Sequence, residues 1–494
     1  MILPALLALA VALGPLLRGC WDIWAQALIH QAAVCGIILW LLSRVIVGYV
    51  PLPSRRNLLW AVLLTALGTA SVVRSPVHAL VLPEWYNFLN ALWIFPIMAA
   101  VSKDERQHVD IALRAAAWIL MALAFYQHFR LGEARPASAL VNENVFAGTI
   151  LLLLPLALEK KDWLLAGGLF VNLLWTRSVG AWLGLAVALL VTQRGRRAVW
   201  FWAGLALGLL CAVAVYNKLQ SPDVLNRLYW WQAAVAMICE RPLTGFGPGA
   251  YAPVLPAVAA KEGVFSGYAH QYFLQTAAEY GIVFTGIWLA GLWSCVVRGS
   301  SYKRFGALAL LVYSCCDWSL SMPANLWLFS YFAASSISEG SQGVNVPTRF
   351  KLPCCALLLL IGGFLTVRIL HLWAADRAKT RAVAALHSGD LAAARAAGEA
   401  AARHVARDPD TQELLAAADL GRTAGRGAGD SALRSAAGHL EKAAQWNPYR
   451  ARTWAALADV RGRLGDGPGA AAARRDGARW SLRYRRGLEK ESAR

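Results

Sequence analysis

Between residues 227 and 281 the chain brings together residue types suited to handling an anion and moving a proton beside a membrane. Arg227 lies three residues before Trp230-Trp231, in a run from Val224 to Glu240 with the period of an amphipathic helix whose aromatic and aliphatic face rests on the interface. Its planar fork can clamp a diphosphate bidentately, which a lysine does less well; alternatively it snorkels to lipid phosphates. Glycines 245, 247 and 249 fall within the stretch from Pro242 to Gly249. Such a turn exposes backbone N–H groups able to cradle an anion, or simply makes a tight connection. His270, flanked by Tyr268, Gln271 and Tyr272, begins the next membrane run facing the polar loop. A titratable group there suits proton transfer, and a helix cap is its other reading. Glu279 is expected roughly two and a half turns deeper, out of reach of His270.

Further polar groups fall at the outward ends of apolar runs: Arg135 and Asn142-Glu143-Asn144, Thr176-Arg177-Ser178, and Asp317 within the run 305–320. Together with Gly247, Gln271 and Tyr272 they are expected to line one outward cavity. The nine histidines are scattered and the nine cysteines sit mostly in apolar runs, so no metal-ligand spacing and no disulfide framework emerges. Gly-x-x-x-x-Gly-Lys and Gly-x-Ser-x-Gly are both absent from the sequence. Neither a metal nor a nucleotide cofactor is expected.

The elements that must position these groups are membrane helices. The chain has 494 residues, 58% of them hydrophobic, with 22 tryptophans and continuous rather than alternating apolar runs. The expected fold is an all-α polytopic membrane protein with about 12–13 transmembrane helices. The runs lie near 2–18, 24–47, 57–74, 77–100, 108–129, 144–158, 162–175, 179–192, 198–216, 270–296, 305–320, 323–337 and 353–373. The net charge of +19 is spread over short loops and a helical tail, which argues against a nucleic-acid partner. One side collects Arg44, Arg55, Arg56, Lys103, Arg106, Lys160, Lys161, Arg194, Arg196, Arg197, Arg298, Lys303, Arg304, Arg349 and Lys351. The other short loops hold only Arg18, Arg74, Arg130, Arg135 and Arg177. Positive charge marks the cytoplasmic side, so the N-terminus is expected inside, and the loop 217–269 and the tail outside. Residues 1–374 form the expected membrane domain and 375–494 the tail. In the Ala- and Arg-rich tail, Ala443, Asn447-Pro448, Trp454, Leu457 and Gly465-Asp466 are spaced as in a tetratricopeptide repeat, and Asp408-Pro409, Leu414-Leu415 and Gly421 suggest an earlier copy. An Ala-rich helical hairpin pair would look similar.

Arg227-x-x-Trp230, Pro242-Leu-Thr-Gly-Phe-Gly-Pro-Gly249 and His270-x-Tyr-x-Leu-x-x-x-x-Glu-x-Gly281 resemble the core signature of the O-antigen ligase and polymerase superfamily. Arg135 with Asn144 resembles its earlier arginine and Asn-Pro-Asn segment, with Glu143 in place of the proline. Thr176-x-Ser178-x-Gly180-Ala-Trp-Leu-Gly184 resembles its Ser-Arg-Gly helix start; the family arginine falls at Val179, and Arg177 is the nearest substitute. The resemblance covers roughly 50–337. It implies a metal-independent, inverting glycosyltransferase of the bacterial inner membrane that takes its glycan from undecaprenyl diphosphate at the periplasmic face. Arg227 would bind the diphosphate, with Arg177 and Arg135, and His270 would activate the acceptor hydroxyl or steady the leaving group. The implied partners are membrane lipids, the polyprenyl-linked donor, an acceptor (lipid A core, glycan or protein) and a protein recruited by the tail. Polymerases and protein O-oligosaccharyltransferases share the signature. A polysaccharide transporter or flippase is the rival class, and would show inverted repeats and broken helices in both halves.

Overall fold

The computed structural model describes residues 10–100, 103–192, 198–218, 222–259, 261, 265–298, 302–335, 342–422 and 429–480. Residues 2–9 of the first run and the basic residues Arg194, Arg196 and Arg197 lie outside them. The architecture is all-α apart from one two-stranded sheet. After helical residues 10–16 come α1 (Ile23–Val47), β1 (Tyr49–Leu52), α2 (Arg55–Val73), α3 (His78–Ala100), α4 (Lys103–Arg130), α5 (Glu143–Glu159), α6 (Trp163–Thr176), α7 (Val179–Thr192) and α8 (Ala198–Lys218). The polar loop folds into α9 (Pro222–Glu240) and the short α10 (Tyr251–Val258). Then follow α11 (Tyr272–Tyr280), α12 (Ile282–Arg298), α13 (Tyr302–Tyr313), α14 (Pro323–Ser335), β2 (Gln342–Asn345) and α15 (Thr348–Ser388).

Among the described residues four helices are long and apolar enough to cross a membrane: Ile23–Val47, Arg55–Val73, Arg106–Arg130 and Thr348–Ser388. Shorter apolar helices include Trp163–Thr176 and Val179–Val191. The bundle has two chemically distinct ends. At one, β1 and β2 pair antiparallel, Tyr49 opposite Asn345 and Leu52 opposite Gln342, and Lys351 Nζ donates to the Ile46 carbonyl at 2.7 Å. At this end Asp110 accepts from Lys303 Nζ at 2.7 Å and from the Tyr331 hydroxyl at 2.5 Å, with Lys160 Nζ 3.8 Å away. The loops that carry Lys160 and Lys303 therefore meet at Asp110, and those that carry Tyr49 and Lys351 meet at the sheet. At the other end Arg241 donates to the Arg74 carbonyl (3.1 Å), and Ser75 Oγ to that of Phe246 (2.7 Å).

Two expected spans are revised. The run 270–296 is broken at Gly281 into α11 and α12. Gly281 has φ +88°, and a Cβ there would come within 2.2 Å of the Leu243 carbonyl oxygen, so glycine lets the chain turn against the residue 242–243 backbone. The Ile282 N–H is satisfied outside the helix, by the Pro242 carbonyl at 2.8 Å. The run 305–320 leaves the helix after Tyr313, which places Asp317 in the loop that follows rather than in the span.

The boundary read at 374/375 falls inside α15, a continuous helix of 41 residues and so about 60 Å. Its apolar part packs along α1, where Gln31 donates to Thr366 Oγ1 at 2.9 Å, and turns Leu352, Leu360 and Phe364 outward. Beyond it the tail forms α16 (Leu391–His404), α17 (Pro409–Arg422), α18 (Gly429–Trp446), α19 (Ala451–Arg463) and α20 (Gly467–Trp480), each packed on its neighbour in sequence. A second core of Leu433, Ala436, Leu440, Leu457 and Ala473 joins them. Arg450 ties α17 to the α18–α19 turn through Asp410 (2.6 Å) and Glu413 (3.0 Å).

Lys303 and Asp110 are each only 7% exposed, so removing Lys303 leaves a buried carboxylate offset only by Lys160 at 3.8 Å. Lys303→Met is expected to lower stability by about 3 kcal/mol, and adding Asp110→Asn to restore part of it, read as the unfolding midpoint in detergent.

Candidate functional site

The site is built where the loop after α13 meets α9 and the approach to α11. Arg227, on α9, donates from Nη1 to the Cys316 carbonyl at 2.6 Å. The next residue, Asp317, is 2% exposed, and its Oδ1 accepts the Ser319 N–H at 2.8 Å. Arg227 also acts electrostatically on both Asp317 and His270, so the three expected residues share one locus. A guanidinium carries five N–H donors, and the Cys316 bond uses one of them.

His270 sits in the loop ahead of α11 with φ +53°, a left-handed conformation costly for a residue with a Cβ. Its ring stacks on Trp230 (centroids 4.8 Å, 22°) and lies edge-on to Trp318 at 6.4 Å. Nδ1 is buried without a hydrogen-bond partner among the described residues. Burial, and then the neighbouring Arg227 guanidinium, hold the imidazole below its ordinary value, at about 4. It is therefore neutral at neutral pH and able to accept a proton.

A second layer of contacts brings in the start of α5, the end of α6 and the start of α7. Tyr313 receives a hydrogen bond from Ser178 Oγ (3.0 Å) and donates to the main-chain carbonyl of Asn144 (3.1 Å). Arg135 donates from Nε to the Thr176 carbonyl at 3.1 Å and pairs with Glu143 at 2.8 Å. Glu143, which stands where the resemblance has proline, thus compensates Arg135. Arg177 caps α6 in the left-handed region (φ +53°); its side chain is exposed, with no ion pair or hydrogen bond among the described residues.

The remaining expected residues have other tasks. The Gln271 side chain accepts the Leu274 N–H and caps α11, while the Tyr272 N–H bonds the Ser314 carbonyl at 2.9 Å. Gly247 does not present its N–H to an open cradle: it donates to the Glu279 carbonyl at 2.8 Å, and the Phe246 N–H donates to Ala278. The glycine turn does cradle an acidic side chain, but an internal one. The Glu279 carboxylate, 6% exposed, takes the Tyr251 N–H (3.3 Å), the Gly249 N–H and Gln275 Nε2 (3.0 Å). Gly245 comes so close to α11 that a Cβ would sit 2.3 Å from the Glu279 carbonyl carbon.

Three groups here were not anticipated. Glu84, on α3, lies against Gly249, whose Cβ would meet its Cγ at 2.7 Å. Its signal was legible, as a carboxylate inside an apolar run. With Glu279 it lines a cavity of about 370 Å³. Trp318 joins this cavity to His270 by stacking on Tyr268 at 4.2 Å. Tyr449, in the α18–α19 turn of the tail, is 3% exposed and packs edge-on against Phe246 of the glycine turn at 6.2 Å, with the Arg241 guanidinium over the other ring at 4.8 Å. No local pattern around Tyr449 announced that contact.

Two outcomes follow. Histidine-selective NMR of the substrate-free protein should show His270 titrating near 4, with Arg227→Gln moving the midpoint up; a midpoint at the ordinary 6.5 contradicts the geometry. Tyr449→Ala should speed amide hydrogen exchange in residues 242–251 while leaving α1 and α15 unchanged, because it removes the cover over Phe246.

No curated protein matches the chain. Residues 164–289 match the family described as O-antigen ligase. This stretch runs from α6 into α12 and contains Arg177, Arg227, Gly247, His270, Gln271 and Tyr272, whereas Arg135, Asn144 and Asp317 lie outside it. This match supports a place for the segment in the O-antigen ligase superfamily.

Proposed function

We propose that the protein transfers a glycan from undecaprenyl diphosphate to an acceptor hydroxyl at the periplasmic face of the bacterial inner membrane, with inversion and without a metal. The observation that carries this reading is the convergence of Arg227, Asp317 and a neutral His270 on one loop. In the reaction the acceptor oxygen bonds to the anomeric carbon as the carbon–oxygen bond to the diphosphate breaks. The hydroxyl proton passes to the His270 imidazole, and the bonding electrons leave with the diphosphate. Because that leaving group is good, catalysis needs charge neutralisation, positioning and one proton acceptor.

Arg227 supplies the main clamp, with donors beyond the one spent on Cys316; that carbonyl holds its fork in place, and Asp317 acts on it electrostatically. Arg177 is the second cation, since its charge is uncompensated among the described residues, whereas Arg135 is balanced by Glu143 and serves to position the Thr176–Ser178 turn. Orientation follows from the basic end of the bundle, which belongs in the cytoplasm and leaves the site and the tail outside. The tail, read as tetratricopeptide-like, recruits an acceptor or a protein partner. Polymerase and protein O-oligosaccharyltransferase activities differ from this reading only in the acceptor.

The test is glycan transfer by the purified protein with undecaprenyl-diphosphate glycan and each acceptor class in turn. His270→Ala should lower turnover by about 10²-fold or more with membrane insertion intact. Arg227→Lys should fall between wild type and Arg227→Ala, because it keeps the charge and loses the fork. Undiminished transfer by His270→Ala would sink the assignment.

A further inference from the structure

We infer that the cavity beside the transfer centre is a seat for a sugar ring of the acceptor, so that the acceptor is a glycan rather than a protein side chain. This rests on the transferase reading above. At about 370 Å³ the cavity falls in the size range of ligand sites, about 300–1,000 Å³. Its lining combines two kinds of surface. Trp21, Phe88, Tyr268 and Tyr272 offer aromatic faces, while Glu84 and Glu279 offer carboxylates. Gln275, Thr276 and Ser321 add an amide and two hydroxyls.

That combination selects among ligand chemistries. The lining contains no lysine, arginine or histidine, so the diphosphate of the donor is excluded from this side. An acyl chain would leave the Glu84 and Glu279 carboxyl groups facing hydrocarbon without a hydrogen-bond partner from the ligand, which costs free energy. A pyranose fits both surfaces: its C–H face lies on aromatic rings and its hydroxyls donate to carboxylate and amide oxygens. The two carboxylates also differ in what remains open to a ligand. Glu279 is engaged by backbone N–H groups of the glycine turn and by Gln275. Glu84 takes only a long 3.4 Å hydrogen bond from Asn87 among the described residues, and so keeps acceptor capacity.

Position supports the assignment as much as chemistry. Tyr268 is shared: one side lines the cavity, and its ring stacks on Trp318, which touches the His270 ring edge-on. Two aromatic rings, Tyr268 and Trp318, therefore lie between the sugar seat and the imidazole, while Arg227 addresses that imidazole from α9. Donor diphosphate and acceptor sugar approach His270 from different sides, and Glu84 is the positioning residue for the acceptor.

The test uses the full chain in nanodiscs with two variants, Glu84→Gln and the cavity-filling Ala252→Phe. Saturation-transfer NMR with a soluble acceptor oligosaccharide reads the seat without donor, and transfer kinetics read it with donor present. Both variants should weaken oligosaccharide binding and raise its KM by about tenfold, leaving kcat at saturating acceptor and the KM for donor within about twofold. Unchanged saccharide binding in Glu84→Gln overturns the proposal, as does transfer to a peptide hydroxyl that Ala252→Phe leaves intact. If Ala252→Phe does not fold, Glu84→Gln decides alone. If wild type binds saccharide but transfers nothing, the seat stands and the transferase reading fails.

Discussion

A carboxyl group buried against backbone N–H groups is the constraint on which the rest of this end of the bundle depends. Glu279 cannot be left unpaired where it sits, and the turn that ends at Gly249 cannot leave its N–H groups unsatisfied beneath the surface; each answers the other. The pairing clamps α11 to the residue 242–249 turn and needs glycine at 245, 247 and 249, all with positive φ. It also fixes the break at Gly281, because the same turn supplies the carbonyl that receives the Ile282 N–H. His270 and Arg227 then fall into place at either margin of this clamp, one ahead of α11 and the other on α9.

Most helices were legible because each apolar run is bounded by charge or by Gly and Pro. Expected runs 24–47, 162–175 and 179–192 meet the observed helices Ile23–Val47, Trp163–Thr176 and Val179–Thr192 within a residue or two. The run 270–296 was not legible as two helices: Gly281 is one small residue in an apolar stretch, and what decides its conformation is the packing of residues 242–243 against it. The loop at Asp317 was hidden in the same way, since Arg227 engages the Cys316 carbonyl from 89 positions away.

The site was legible in composition and less so in assignment. Arg227, His270 and Asp317 were chosen as ionisable groups at a membrane boundary, and they do converge. The glycine turn was read either as an anion cradle or as a tight connection; it packs tightly on α11 and its N–H groups engage Glu279, whose distance along the helix from His270 had set it aside. Sequence separation along one helix says nothing of a loop that folds back over it.

The uninterrupted α15 carries a consequence for how this chain tolerates change. With no loop between the membrane and the tail, the helix acts as a keyed shaft: each residue added or removed near 374–388 turns everything beyond it by about 100°. Tyr449 would then swing away from Phe246, far from the altered position. Length variation in this helix is thus confined to near-whole turns, and the phase of a tail helix becomes part of the specification of a membrane-level site.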